Sequence, residues 1–344
     1  MTPEQLGTIA FVLVFLLLAG YAVLDGLGLG VGMLHPLAAA EHQRRISIKA
    51  IAPLWMANTV WLLAAAAALF AAFPLVYATV FTRLHLILTM LLAALIVRGV
   101  SIHLRWTGQS AAWKGLWDSL FFAGSLASSL LLGVALGNIL RGLPFNERGA
   151  YLGTFLGLLN PFALLAGVLT ALAFMVHGAL YLAARTDQEH RHRLSRLLPL
   201  LWLLFAAALV VASLAAFYLE PHLIDGAVAN PPAYLFLPVI AICAVCLLPL
   251  IRSGQFDAAL LASSICIACM VGLVAASLYP VLMPNLTTPA AGEAGLTIRN
   301  SSASAHTLGA LLIITLIGMP MVIASTAVVY WAFAGQVELD EESH

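Results

Sequence analysis

Long apolar runs, separated by short polar stretches, dominate the pattern of hydrophobic and polar positions along the chain. A helix that crosses a bilayer needs about 20 predominantly apolar residues. Segments close to this length or longer cover 8–34, 51–73, 84–105, 116–140, 151–183, 197–218, 233–250, 257–283 and 306–334. The pattern therefore predicts an all-α polytopic membrane protein with about nine transmembrane helices.

The composition excludes a soluble globular protein. Of the 344 residues, 62% are hydrophobic and 9% are charged, and the mean hydropathy is +1.02. Soluble domains are about 25% charged, so this chain has too few charges to cover a water-exposed surface of its size. Its 15 basic and 15 acidic residues balance, which argues against nucleic acid as a partner. Because no internal repeat or low-complexity tract divides the chain, we expect a single transmembrane domain over 1–344.

Basic residues concentrate in alternate connections between the predicted spans. The first, third, fifth and seventh connections hold Arg44, Arg45, Lys49, Arg105, Lys114, Arg185, Arg191, Arg193, Arg196 and Arg252. The other connections hold only Arg83, Arg141, Arg148 and Arg299. Because basic loops stay in the cytoplasm, we predict the N-terminus outside and the C-terminus, with its acidic stretch from Glu338 to His344, inside. Two polar stretches at 219–232 and 284–305 are predicted outside as ordered turns rather than helix, since they are rich in Pro, Asn, Ser and Thr.

The segment from Tyr21 to Pro36 carries alternating glycines. A dinucleotide-binding loop would need a preceding strand and a βαβ unit, whereas these glycines lie in a predicted membrane helix. The pairs Gly26/Gly30 and Gly28/Gly32 have the GxxxG spacing that lets two helices approach closely. The segment therefore predicts close helix packing.

Asp25 is the only acidic residue within the first span. An ionisable side chain at membrane depth is costly and is expected to have a partner. Arg98, towards the end of the third span, is our candidate. Two interpretations stay open: a buried ion pair that holds two helices together, and a role in proton movement.

Trp55, Asn58 and Trp61 recur at intervals of three residues and lie along one side of the second span. Trp is typical of membrane interfaces, and Asn within a span usually hydrogen-bonds to another helix. The pattern predicts anchoring at the interface together with helix packing.

Two CxxC motifs, Cys243/Cys246 and Cys266/Cys269, each place two sulfur atoms on one face of a helix. Four thiolates could bind zinc or an iron–sulfur cluster. These helices are apolar and carry no neighbouring cation, so desolvation favours neutral thiols. We interpret the cysteines as small apolar core residues and predict no metal site.

Four histidines lie near predicted membrane depth: His85, His103, His177 and His306. A b-type haem with two histidine ligands needs them on facing helices at matched depth. His85 and His103 lie at opposite ends of one span, so they cannot share a haem iron. His177 lies towards the cytoplasmic end of its span and His306 towards the outside, and no convincing pair emerges. We therefore predict no haem ligands in this chain. No combination of nucleophile and base, and no phosphate-binding loop, indicates an independent enzyme, so we predict no catalytic residues.

The order of several segments resembles subunit II of the cytochrome bd-type quinol oxidases. The matching segments are YAVLDGLGLGVGML (21–34), IAPLWMANTVWLLAAAAALFAAFPLVYATVF (51–81), RGVSIHLR (98–105), WD (117–118), GVALGNILRGLPFN (133–146), LLNPFALLAGV (158–168), HGALYLAART (177–186) and the final span from 306 to 333. They cover nearly the whole chain, and as a group they are specific.

The resemblance implies two four-helix bundles plus one peripheral ninth helix. It implies a partner, subunit I, that carries the two b-type haems, the d-type haem and the quinol site, while subunit II is haem-free and stabilises the complex. Such a complex is a respiratory terminal oxidase of the bacterial cytoplasmic membrane that oxidises quinol and reduces oxygen to water. The resemblance leaves open a small accessory subunit and a structural quinone or lipid bound to this chain.

The chain departs from the family pattern at several polar positions. The family usually has Asp where this chain has Met56, Glu or Gln at Thr59, a second Asp at Gly28 and an acid at His103. A Trp-Asp pair near the last span is replaced by Arg299 and Asn300.

The replacement at Met56 bears on proton uptake. In the family, the acid at this position is associated with a proton path through subunit II, and a methionine cannot carry a proton. The polar residues that remain are Asp25, Asn58, Trp61 and Arg98. We expect protons to pass either through subunit I or through water near His103.

Two other functions compete with the oxidase subunit. A secondary transporter would show inverted repeats and broken helices near the midplane, and we find no paired repeat. A self-contained haem cytochrome would need the histidine pair that the sequence lacks. We therefore favour a non-catalytic subunit of an oxidoreductase complex.

Overall fold

The structure, a computed structural model, describes residues 1–38, 40–144, 152–186, 188–286, 295–333 and 335. The predicted acidic stretch from Glu338 to His344 lies outside the described residues. So do Arg148 and the central part of the predicted polar stretch at 284–305.

Long helices dominate the described residues: α1 (Pro3–Leu34), α3 (Trp55–Ala72), α5 (His85–Leu104), α6 (Ala111–Arg141), α8 (Pro161–Arg185), α9 (Gln188–Leu219), α11 (Pro231–Arg252), α12 (Phe256–Leu278) and α14 (Ala305–Ala332). Within the described part of the chain, these nine helices are long and apolar enough to cross a membrane. The prediction of an all-α membrane protein with about nine spans is therefore confirmed. The shortest predicted span, 233–250, is the 22-residue helix α11.

Shorter elements connect the long helices: a 3-10 turn (His35–Leu37), α2 (Glu41–Ile51), α4 (Pro74–Arg83), α7 (Phe155–Leu158), α10 (Pro221–Ala229), α13 (Ile298–Ser301) and the strands β1 (Val281–Met283) and β2 (Leu296–Thr297). The two strands pair antiparallel.

The expectation of turns rather than helix at 219–232 was wrong, because α10 occupies most of this stretch. Pro221 stands in its first turn, where the fixed φ of proline suits a helix and its missing N–H is not needed. Leu223 is buried, so the helix lies against the bundle.

Two predicted spans are longer than the helices that form. The span predicted at 257–283 ends as a helix at Leu278, because Pro280 restricts the residue before it to extended conformations, and Val281–Met283 form a strand. In the span predicted at 151–183, the long helix begins only at Pro161, after the single turn of α7. Asn160 caps that helix, since its Oδ1 accepts a hydrogen bond from the N–H of Ala163 at 2.9 Å.

The long helices form two groups of four with one helix outside them. Helices α1, α3, α5 and α6 make the first bundle, and α8, α9, α11 and α12 make the second. Contacts of α8 with α1 and α6 join the two bundles, and α14 packs against α3 and α1. Among the described residues of α14 only Leu308 and Thr326 are buried. This is the arrangement that the family resemblance implied.

The bundles meet where the backbones of α1 and α8 cross. A Cβ atom added to Gly30 would lie 1.9 Å from the carbonyl oxygen of Phe174, and one added to Gly178 would lie 2.5 Å from the carbonyl carbon of Gly30. Gly26 meets the ring of the same Phe174. The glycines of α1 thus permit the close helix packing that their spacing predicts.

Each of the two ends of the bundles contains a buried polar residue, His35 at one end and Glu220 at the other. The His35 end carries the C-terminus of α1, where His35 bonds to Asp118. The Glu220 end carries the start of α10, where Glu220 pairs with Arg141.

Candidate functional site

A buried ion pair joins α1 to α5. The guanidinium of Arg98 donates from Nη1 to Oδ2 of Asp25 at 2.7 Å and from Nη2 to Oδ1 at 2.9 Å. Asp25 is 0% exposed and Arg98 is 2% exposed. The structure thus brings together the two residues that the sequence suggested as partners. The bidentate geometry fixes both side chains and satisfies both carboxylate oxygens.

A glycine provides the room for this guanidinium. A Cβ atom added to Gly28 would lie 2.4 Å from Nη2 of Arg98. A carboxylate side chain at residue 28 would therefore need Arg98 to take another position. A narrow void beside Arg98, partly lined by Gly28, Trp55 and Asn58, is too small to hold a water molecule.

Asn58 links α3 to α1 and α14. Its side-chain amide donates to the carbonyl oxygen of Leu24 at 2.9 Å. The hydroxyl of Tyr330 lies 3.3 Å from both that carbonyl oxygen and Oδ1 of Asn58. Asn58 is buried, so its bonds replace the water that a polar group would otherwise need.

Trp61 makes a second link between α3 and α14. Its indole N–H donates to Oγ1 of Thr326 at 3.1 Å, and both side chains are buried. Its ring also lies where a Cβ atom on Gly20 would be. Trp61 therefore packs between helices. Sequence reasoning missed its partner in the last helix, and it missed both partners of Asn58, Leu24 in α1 and Tyr330 in the last helix.

His177 connects three helices through both ring nitrogens. Nδ1 lies 2.9 Å from the hydroxyl of Ser263, and Nε2 lies 3.0 Å from the carbonyl oxygen of Val23. A carbonyl only accepts, so Nε2 carries the proton and Nδ1 accepts from the serine. The ring is fully buried, and neither nitrogen is available to a metal.

Met56 and Thr59 lie away from these contacts. Met56 is 62% exposed on the outer side of α3. The hydroxyl of Thr59 donates to the carbonyl oxygen of Trp55 in its own helix at 2.8 Å. Neither residue bonds to the Asp25–Arg98 pair in the described structure.

His103 is exposed near the His35 end. Its Nδ1 lies 3.3 Å from the carbonyl oxygen of Gly99, and its ring meets the indole of Trp55 edge to face, with centroids 5.7 Å apart. The half-buried indole of Trp55 also lines the void beside Arg98. Trp55 thus stands between His103 and the ion pair.

A charged network that the sequence did not predict closes the His35 end. Asp118 lies 2.8 Å from Nε2 of His35 and accepts from Nε of Arg105 at 2.5 Å. Arg105 also donates to both oxygens of Glu41 at 2.9 Å. Burial lowers the pKa of Arg105, but its bonds to Asp118 and Glu41 outweigh burial and raise the pKa above its ordinary value. Arg105 therefore stays charged and ties α2, α5 and α6 together.

Two ion pairs occupy the opposite end. Nε of Arg141 lies 3.1 Å from Oε1 of Glu220, and burial raises the pKa of that carboxyl although Arg141 opposes the shift. Arg299 donates to Oε1 of Glu4 at 2.8 Å. Arg299 thus forms a surface contact between α13 and the start of α1, whereas the side chain of Asn300 bonds to the backbone of Gly295 and Thr297.

The cysteines lie on α11 and α12. Cys243 and Cys266 are buried, whereas Cys246 is exposed. Across the described ranges, no group of three or more His, Cys, Asp and Glu residues could hold a metal ion.

The sequence model of one protein family, described as "Cytochrome bd terminal oxidase subunit II", matches residues 6–333. "Cytochrome bd-I ubiquinol oxidase subunit 2" of Escherichia coli (strain K12) is 33% identical over 373 aligned positions, which cover 98% of this chain and 97% of the relative. "Cytochrome bd ubiquinol oxidase subunit 2" of Bacillus subtilis (strain 168) is 31% identical and covers 96% of each chain.

A solved structure shares the fold. The bd oxidase from Geobacillus thermodenitrificans superposes with a TM-score of 0.79 at 18% identity, covering 96% of this chain and 98% of the other. The family match spans almost the whole chain, as do the curated relatives above 30% identity. The chain therefore belongs to the cytochrome bd terminal oxidase subunit II family, whose members are subunits of a quinol-oxidising complex in the bacterial inner membrane.

Proposed function

We propose that this chain is the haem-free subunit of a bd-type oxidase and that it stabilises a haem-bearing subunit I. The complex oxidises quinol and reduces oxygen to water, and the chain itself is non-catalytic. The observation that carries the proposal is the hydrogen bonding of His177. It lies deep in the bundle, yet both of its ring nitrogens hold helices together.

The other histidines considered as haem ligands support the same conclusion. His85, His103 and His306 are exposed near the ends of their helices. Axial ligation needs a nitrogen directed into the bundle. Haem b and haem d are therefore assigned to subunit I.

Copurification tests this assignment. The tagged chain is purified from its native host in mild detergent, and the reduced-minus-oxidised spectrum is recorded together with a gel of the copurifying chains. We expect one larger chain and bands of b- and d-type haem. A lone chain without haem would contradict the proposed assembly, and haem retained by the isolated chain would contradict its haem-free role.

We also propose that the His35 end faces the cytoplasm. Arg44, Arg105, Arg193 and further basic residues lie in the connections at this end, and positive charge marks cytoplasmic loops. The N-terminus then lies outside. The single-domain organisation, an accessory subunit and a bound structural quinone stay predictions of the sequence.

Proton uptake, on our proposal, runs through subunit I. The thioether of Met56 cannot carry a proton, and Thr59 bonds within its own helix. The indole of Trp55 stands between His103 and the buried ion pair, and the adjacent void cannot hold water. These contacts favour subunit I over a route that starts at His103.

Replacing His103 by alanine is therefore expected to leave oxygen consumption and proton uptake of the assembled oxidase undiminished. His85→Ala is a matched control, because it removes an exposed histidine from the opposite end of the same helix. Both rates are measured on purified oxidase in vesicles. A selective loss of proton uptake in His103→Ala, with normal haem content, would instead support the His103 route.

A further inference from the structure

A cavity of about 240 Å³ opens at the His35 end. Four elements meet around it: the C-terminal region of α1 with the following turn, α2, the end of α8 and the start of α9. None of the residues that line it takes part in the Asp25–Arg98 pair or in the Asp118 network.

The walls of this cavity are mostly apolar, and Ser47, His190 and Arg193 form the polar part of the lining. Leu34, Leu37, Leu182, Leu194 and Leu197 provide most of the lining. The hydroxyl of Ser47, which also lines the cavity, donates to the carbonyl oxygen of Gln43 in its own helix at 2.9 Å. A partly open and mostly apolar cavity favours a hydrocarbon chain over water.

One cation borders the cavity. Arg193 lines it from α9, where it lies one helical turn before Leu197. The side chain is exposed, and it forms no hydrogen bond or ion pair within the ranges that the structure describes. Arg191, two residues earlier, differs because its Nε donates to the carbonyl oxygen of Ala183 at 2.8 Å. Arg193 is thus the guanidinium available to a ligand.

The surroundings of the cavity carry an excess of positive charge. The segments 41–49 and 185–196 together contain seven Arg and Lys residues against three Asp and Glu residues. Basic pockets between transmembrane helices attract the headgroups of anionic lipids. Because the charge and the apolar walls adjoin each other, the site complements a molecule with an anionic head and an aliphatic tail.

We propose that this cavity binds an anionic phospholipid of the adjacent leaflet. One acyl chain lies against Leu37 and Leu197, and the phosphate is bound by Arg193. A free phosphate would use the cation but not the apolar walls, and a zwitterionic lipid would use the walls with less benefit from the surrounding charge. The site does not depend on the proposed redox role of the chain.

The test uses the assembled complex, purified in mild detergent and washed to remove lipid. Its thermal unfolding is followed during titration with phosphatidylglycerol, with phosphatidylcholine of the same acyl chains, or with inorganic phosphate. We expect phosphatidylglycerol alone to raise the unfolding temperature. Arg193→Gln is expected to weaken this binding about fivefold, since one basic residue near a membrane surface has roughly that effect.

Two further variants separate the site from general attraction to the surface. Arg196→Gln removes an exposed charge from the same helix that does not line the cavity, and it is expected to weaken binding less than Arg193→Gln. Ala38→Leu adds bulk to the cavity wall without changing charge, and it is expected to abolish the stabilisation. Haem content and oxygen consumption verify that each variant is folded.

Three outcomes would overturn the proposal. Equal loss in Arg193→Gln and Arg196→Gln would indicate diffuse attraction by the basic surface. Equal stabilisation by phosphatidylcholine would indicate ordinary lipid solvation. Stabilisation by inorganic phosphate that depends on Arg193 would indicate a site for free anions rather than lipid.

Discussion

Replacing Arg98 by alanine is expected to abolish accumulation of the assembled oxidase. The change leaves the Asp25 carboxylate 0% exposed and without either of the two bonds that Arg98 donates to it. Removing one partner of a buried ion pair typically destabilises a protein by about 3–5 kcal/mol. The measurement is the yield of haem-containing complex from membranes, together with its unfolding temperature in detergent.

A paired replacement separates a structural role of this ion pair from a role in proton movement. Asp25→Leu combined with Arg98→Met removes both charges while keeping apolar volume, and such replacements are often nearly neutral in stability. We expect the double variant to assemble and to consume oxygen. A double variant that assembles with normal haem content but does not turn over would show that the pair acts in proton movement.

Gly30→Ala is expected to separate the two bundles. The added methyl group would lie 1.9 Å from the carbonyl oxygen of Phe174 and 2.9 Å from the Cα atom of Gly178. Both neighbours are backbone atoms of α8, so no side chain can rotate away and the helices must move apart. Overpacking of this kind typically costs up to about 3 kcal/mol, which we expect to see as a lower unfolding temperature of the complex.

Gly309→Ala provides the control for this substitution. Gly309 also lies within a transmembrane helix, but an added Cβ atom would meet nothing within 4 Å. Alanine favours the helix over glycine by about 1 kcal/mol, so this variant is expected to be unchanged or slightly more stable. If Gly30→Ala were as stable as Gly309→Ala, the close crossing of α1 and α8 would be wrong.

The spans were predictable from sequence because the bilayer imposes a length on every apolar run. The Asp25–Arg98 pairing was also predictable, since charges within the spans are so scarce that few partners exist. Helix α10 was missed because a short helix outside the bilayer needs no long apolar run. The bond between Asp118 and His35, which directly follows α1, was missed for another reason. Charges near helix ends are common, and nothing in their spacing shows which of them meet.

Thr326, the partner of Trp61, and Tyr330, the α14 partner of Asn58, were beyond sequence reasoning because they lie far along the chain. Thr326 follows Trp61 by 265 residues, and no periodicity connects two helices at that separation. Packing of α14 against α3 brings them together. Sequence therefore identified the polar residues of the site and the Asp25–Arg98 pair, but not the contacts that satisfy Asn58 and Trp61.

The position of α14 has a consequence for biosynthesis. Helices emerge from the ribosome in chain order, so α3 enters the membrane long before the helix that carries Thr326 and Tyr330. Until then, the indole N–H of Trp61 lacks its partner in a medium without water, where unsatisfied polar groups are unfavourable. In an unfinished subunit the indole N–H of Trp61 is thus without its hydrogen bond to Thr326, and it gains this bond only when the last helix docks.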